Sequence, residues 1–245
     1  MTEAVAPPAT ALYVYGVVRA GADATEGEGV ADAEVGLIES GRLAALVSPL
    51  PSEGLRLRRR DLRAHLAVLE RAFERTTVVP CRFGMVVESE AILRRDFLDH
   101  RADELEAALA RLDGRTQLNV RVDFEEEAVL REIVAGDPEI AELRRRTQEL
   151  GDAGHFARIR LGELVAQALD ARRERDAATI LDALEPAAED TVVERVGELG
   201  VLKASFLVAD PNSFDRVLGR LAREHAPRLQ FESIGPLPPT AFAGA

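Results

Sequence analysis

A chain of 245 residues with 47% hydrophobic and 30% charged side chains carries enough apolar material for one large or two modest cores, which excludes a disordered polypeptide. Its 43 acidic against 31 basic residues leave a net charge of −12, which argues against a surface devoted to nucleic acid or anionic membrane and leaves room only for a local basic patch. The single cysteine, Cys81, excludes an internal disulfide framework and fits a reducing compartment. No stretch reaches the roughly 18 apolar residues of a membrane span, and the opening residues, with Glu3 and Pro7-Pro8, lack the basic start and unbroken apolar run of a secretory signal. A soluble cytoplasmic protein of two domains is therefore expected.

After the first residues, Leu12 to Val18 (LYVYGVV) is predicted as a strand from its β-branched and aromatic content, and Gly21 to Gly29 as a polar loop. VGLIES, a Ser40-Gly41 turn and RLAALVS give a hairpin signal. From Arg56, Leu62, Leu66, Leu69 and Phe73 recur at helical spacing and predict an apolar face opposite an arginine-rich one. Thr77 to Val87 (TVVPCRFGMVV) is predicted as a strand, interrupted by Pro80, Arg82 and Gly84. Ser89 is a candidate N-cap for a helix through Leu112, with Phe97, Leu105, Leu109 and Leu112 on its stripe.

Gln117 to Glu125 alternates apolar and polar residues as a strand with one wet face, Leu118, Val120, Val122 and Phe124 lying on the core side. Helices are predicted on both sides of Gly136-Asp137-Pro138, then a hinge at Gly151 to Gly154, then a long helix from Phe156 to about Leu184 that Pro186 closes. Thr191 to Val196 and Val201 to Ala209 form a second hairpin, Asp210-Pro211 opens a helix to about His225, and Arg228 to Ile234 is the last strand. The predicted fold class is α+β: a mixed N-terminal α/β domain over 1–114, a ferredoxin-like βαββαβ domain with an enlarged helical insertion over 115–234, and a Pro/Gly-rich tail over 235–245.

Enzyme signatures are absent: there is no phosphate loop, no dinucleotide-binding glycine motif, no H-E-x-x-H and no G-x-S-x-G. His65, His100, His155 and His225 fall in no paired metal-ligand spacing and are expected at the surface or at helix ends. Glu125-Glu126-Glu127 and Glu185 with Glu189-Asp190 fit first helical turns and solvated faces better than acid–base pairs. Cys81 beside Arg82 is expected to be a core thiol, with a cation-stabilised thiolate as the alternative. The basic cluster Arg56, Arg58, Arg59, Arg60 and Arg63 lacks the interleaved aromatics of an RNA surface; it is either a solvated helix face or a dock for an acidic protein partner.

Three stretches resemble the gas vesicle protein F and L family: Leu12 to Val18; Val79-Pro80-Cys81-Arg82-Phe83-Gly84-Met85-Val86; and Lys203 to Val208 followed by Phe231 to Phe242. Leu237, Thr240 and Ala241 replace the family's aromatic, Tyr and Ser in the tail. The resemblance implies a non-enzymatic accessory role in forming the gas vesicle wall, with no cofactor, no catalytic or metal site, no nucleic acid and no small-molecule substrate. It implies the hydrophobic shell protein and other accessory proteins as partners, in the cytoplasm at gas vesicles. The region between the domains, with Arg82 and Phe83, is expected to contribute to the contact surface, together with Arg58, Arg59, Leu237 and Phe242. A ligand-sensing regulatory protein with a ferredoxin-like domain is the alternative.

Overall fold

The computed structural model describes residues 11–24, 27–50, 58–150 and 154–243. The chain divides into two compact units, the first comprising Met1–Gln117 and Pro236–Ala245, the second Leu118–Gly235.

The first unit is organised around β1 (Leu12–Arg19), in which every residue from Tyr13 to Val18 is buried. A strand covered on both faces is a continuous apolar run rather than an alternation. β2 (Gly36–Ser40) and β3 (Leu43–Pro49) form the predicted hairpin, turning at Gly41 with a φ of 59°. β3 pairs antiparallel with β1 from Leu12↔Pro49 to Arg19↔Leu43, and the register slips between Val14 and Gly16. On its other side β1 pairs with two short strands, β4 (Val79–Pro80) and β5 (Val86–Val87). α1 (Arg59–Phe73) packs Val68, Leu69 and Ala72 with Tyr13, Tyr15, Ala44 and Leu46. α2 (Glu90–Ile92), continued by π-helical Leu93–Asp99, and α3 (Ala102–Leu112) follow.

The second unit contains all but the first two residues of β6 (Thr116–Phe124), then α4 (Glu126–Gly136), α5 (Pro138–Leu150), α6 (His155–Leu184), β7 (Asp190–Val193), β8 (Gly200–Val208), α7 (Pro211–His225) and all but the last two residues of β9 (Leu229–Leu237). Its sheet order, β7-β8-β6-β9, is that of the ferredoxin-like βαββαβ arrangement. The core gathers Leu118, Val120, Val122 and Phe124 of β6 with Phe206 of β8, Phe214 of α7 and Ile180 and Leu184 of α6. A charged cluster adjoins it. Arg228 is 9% exposed and pairs with Asp176 of α6, while Glu132 of α4 lies 2.7 Å from Arg172 and 3.4 Å from Arg228. Among the described residues no helix is long and apolar enough to cross a membrane.

Four local expectations are corrected. Thr77 to Val87 is not one strand but β4, a turn and β5, because Pro80 cannot donate to a ladder and Gly84 adopts a φ of 90°. The buried face of α1 is Asp61, His65, Val68, Leu69 and Ala72; Leu62 and Leu66 stand 40% and 37% exposed. Asp61 and His65 can be buried because each has a built-in partner, which turns the leucine row toward water. The single helix predicted from Ser89 to Leu112 is broken: the His100 N–H donates five residues back to Arg95 at 3.2 Å, and Arg101 leaves helical geometry. β9 runs on through Gly235-Pro236-Leu237, which sequence reading assigned to the irregular tail. The hinge residues 151–153 and Arg56 lie outside the described residues.

Candidate functional site

All six residues expected to meet a partner belong to the first unit: Arg58, Arg59, Arg82, Phe83, Leu237 and Phe242. Arg82 opens a four-residue turn in which the Met85 N–H donates to the Arg82 carbonyl at 3.1 Å. Gly84 holds the third position, where a type II turn requires positive φ and a Cβ would be strained. Both ends of the turn are tied to β1: Cys81 N–H donates to the Tyr15 carbonyl at 2.8 Å, and Val14 N–H to the Met85 carbonyl at 3.0 Å. The Arg82 side chain is exposed and Phe83 is half-buried, its ring edge-on to His65 at 5.7 Å. The turn thus interrupts a sheet edge that would otherwise present unpaired backbone groups in a continuous row.

Beneath it lies a buried cluster of Tyr13, Tyr15, His65 and Ser48 that sequence reading did not find. The rings of Tyr13 and Tyr15 are 4.9 Å apart, and His65 stacks on Tyr15 at 5.6 Å. Tyr15 Oη lies 2.7 Å from Ser48 Oγ and accepts from the Val30 N–H at 2.7 Å; a Cβ on Gly29 would stand 2.1 Å from that oxygen, so glycine is required there. Tyr13 Oη accepts from the Gly84 N–H at 2.9 Å and lies 3.1 Å from His65 Nδ1. Burial pushes the Tyr13 hydroxyl up to about 12 and the Tyr15 hydroxyl up as well, so both remain protonated near neutrality. Burial lowers His65 to about 4, against a hydrogen bond that the imidazole donates to the Cys81 backbone carbonyl, which acts the other way. His65 was expected at the surface or a helix end; it is instead a neutral core side chain, 2% exposed. The available signal was the pair Tyr13 and Tyr15, whose spacing along the chain left their hydroxyls in need of polar partners.

The remaining candidates for chemistry resolve as structure. Cys81 is 4% exposed, and burial raises its thiol to about 12 despite the Arg101 charge, so it is protonated and unreactive as a nucleophile in the folded state. Glu125 caps α4, its carboxylate accepting the Ala128 N–H at 2.7 Å. No group of three or more His, Cys, Asp or Glu is placed to hold a metal among the described residues.

At the start of α1, Arg58, Arg59, Arg60 and Arg63 are all exposed. The Arg58 N–H donates to Asp61 Oδ2 at 2.8 Å, and Arg60 lies 3.4 Å from the other Asp61 oxygen; Arg58, Arg59 and Arg63 have no ion-pair partner among the described residues. Leu62 stands between Arg60 and Arg63 on the helix, and Leu66 lies three residues further on. His65, on which Phe83 packs, lies on the buried face of the same helix. The tail closes on the same unit: Pro238, Pro239 and Phe242 are buried and Leu237 is half-buried. Arg111 donates to the Phe242 carbonyl, Gln117 Oε1 accepts the Ala241 N–H at 2.8 Å, and Thr116 donates to the Leu237 carbonyl at 3.1 Å. Phe242 therefore anchors the tail rather than presenting a surface.

Residues 11–244 match the family described as gas vesicle synthesis protein GvpL/GvpF. The chain is 36% identical to gas vesicle protein F of Streptomyces sp. (strain CB03234) over 94% of its own length and 98% of that protein's. It is 27% identical to gas vesicle protein F of Nostoc sp. (strain PCC 7120), the match covering 61% of this chain and 62% of the other. The crystal structure of GvpF from Anabaena sp. PCC7120 superposes with a TM-score of 0.82 at 23% identity, covering 97% of this chain and 99% of that one. The Microcystis aeruginosa GvpF structure gives a TM-score of 0.74 at 19% identity over 96% and 100%. At these identities the two structures establish the shared α+β fold.

Proposed function

The chain belongs to the gas vesicle synthesis protein GvpL/GvpF family, and from this premise we propose that it assists formation of the vesicle wall by binding the hydrophobic shell protein during nucleation or assembly. The family is one of gas vesicle accessory proteins rather than of known enzymes. The observation that carries the reading is the exposed Leu62-Leu66 row on α1, bordered by Arg58, Arg59 and Arg63 in a chain of net charge −12. Apolar side chains kept at the surface within a charged border are what a transient apolar partner requires: the leucines cover its surface and the arginines fix orientation and raise the association rate.

Arg82 extends this surface from the neighbouring turn, with Phe83 supporting it through His65. Leu237 contributes its exposed part, and Phe242 acts by holding the tail in place. The interrupted edge at Arg82 to Met85 favours side-chain contact over strand addition at that edge of the first sheet.

The test is a binding titration of the full chain against the shell protein. Leu62→Ser with Leu66→Ser, and separately Arg58→Glu with Arg59→Glu, are each expected to weaken binding about tenfold or more, and Arg82→Ala less. All these side chains are exposed, so the fold should be retained by circular dichroism. Unchanged affinity in both double variants would remove this surface from the interface.

A further inference from the structure

The shell-binding reading makes no use of the edges of the second sheet. In the order β7-β8-β6-β9 the two end strands differ. β7 has four residues, and the Glu194 N–H that follows it donates to the Lys203 carbonyl at 2.8 Å, so by alternation the Thr191 N–H faces away from β8. The Asp190 carboxylate accepts that N–H at 2.8 Å, which removes a donor from the rim. β9 has nine residues, and Glu232 to Pro236 are exposed one after another, Ile234 by 54%. It holds no lysine or arginine to guard the edge, only Glu232.

The register of β9 on β6 decides which of its backbone groups are free. At one end the Glu125 N–H donates to the Arg228 carbonyl at 2.8 Å, and at the other Thr116 Oγ1 donates to the Leu237 carbonyl at 3.1 Å, so the two strands are antiparallel. In that register Phe124 stands opposite Leu229 and Val122 opposite Phe231, in agreement with the packing of all four in one core. The even-numbered residues of β9 therefore turn their N–H and C=O groups to β6, and those of Phe231, Ser233 and Gly235 point outward. Pro236, which has no N–H, falls on the inner row and leaves the outer one intact. Ile234 lies on the face away from the core, in a row with Asn119 of β6, Ser205 of β8 and Val192 of β7.

We propose that two copies of this chain pair antiparallel through β9, Ile234 against Ile234, joining their four-stranded sheets across a two-fold axis. The residues of the strand select this register over its neighbours. An axis at Ile234 makes a close, non-hydrogen-bonded pair of the two exposed isoleucines, lets Ser233 of one copy and Gly235 of the other exchange both N–H···O=C bonds, and sets Glu232 against the uncharged Pro236. An axis at Glu232 would oppose two carboxylates, and an axis at Ser233 would set each isoleucine against a glutamate. A second copy thus supplies both an equal row of free backbone groups and the matching apolar side chain.

The test is sedimentation of the full chain over roughly 1 µM to 1 mM. A reversible dimer is expected, with a Kd on the order of tens of micromolar for so small an interface. Ile234→Lys, an exposed substitution that places a charge on the edge, should raise that Kd at least about tenfold with the circular dichroism unchanged. Register is read by cross-linking with diamide. Ile234→Cys sets two thiols in a pair with Cα atoms about 4.5 Å apart, within disulfide reach, and should give a covalent dimer. In Glu232→Cys the thiols stand four residues apart along the strands, roughly 14 Å, and should stay reduced. Cys81 is buried in both variants. A chain monomeric across the range, a dimer unmoved by Ile234→Lys, or cross-linking of Glu232→Cys as fast as that of Ile234→Cys would each overturn the proposal. Weakened shell-protein binding by Ile234→Lys in a chain that does not self-associate would overturn it too, and give the edge to the shell protein.

Discussion

His65 shows how a side chain's neighbours decide its chemistry. Buried against Tyr13, Tyr15 and Phe83, it is held neutral, its value lowered to about 4 from the ordinary 6.5. Because the unfolded chain binds this proton more readily than the folded one, the associated stability is fully present above pH 6.5 and is lost as pH falls toward 4. The gap corresponds to roughly 3 kcal/mol at the acid end. Denaturant unfolding at pH 7 and at pH 4.5 is expected to differ by less in His65→Gln than in the wild type, since the variant keeps a polar side chain but no titration; equal losses would place the acid sensitivity elsewhere. The same burial disposes of Cys81, whose position next to Arg82 suggested a reactive pair. Adjacent residues diverge, and here the thiol points into the core while the guanidinium meets solvent.

At the level of elements, α1 and α6 depart furthest from simple patterning. In α1 a leucine row at good helical spacing is exposed, and the buried face instead includes a carboxylate and an imidazole. In α6 the buried third includes Asp176, matched by Arg228 immediately before β9 and supported by Arg172 and Glu132. Such pairs are weak evidence of net stability but costly to break, since the surviving charge stays buried. Asp176→Ala is expected to destabilise the second unit by about 3 kcal/mol, read as faster hydrogen exchange of β8 and β6 amides. Asp176→Leu combined with Arg228→Met should recover much of that loss. If the single variant leaves exchange unchanged, the pair is not the lock it is taken to be.

For the molecule as a whole, the tail is the long-range feature. Pro238, Pro239 and Phe242 return to the first unit although more than a hundred residues separate them from Arg111, Thr116 and Gln117, which receive them. Phe242→Ala is expected to cost about 3 kcal/mol and to lower the melting temperature, with faster exchange concentrated in α3. A variant melting like the wild type would show that the docked tail adds nothing to the first unit. Much was legible in the sequence: the α+β class, the β2–β3 hairpin, the alternating face of β6, the order of elements that yields the ferredoxin-like sheet, and the family itself, through motifs that are local strings of residues. These follow from periodicity, turn chemistry and caps, which act between near neighbours. What tertiary structure alone decided was which apolar and polar residues are buried. Leu62 lost its place in the core to Asp61 and His65, and the Arg82-Phe83-Gly84 step became a turn against β1. Those outcomes depend on partners distant in the chain, and no local pattern encodes whether a buried polar atom will find one.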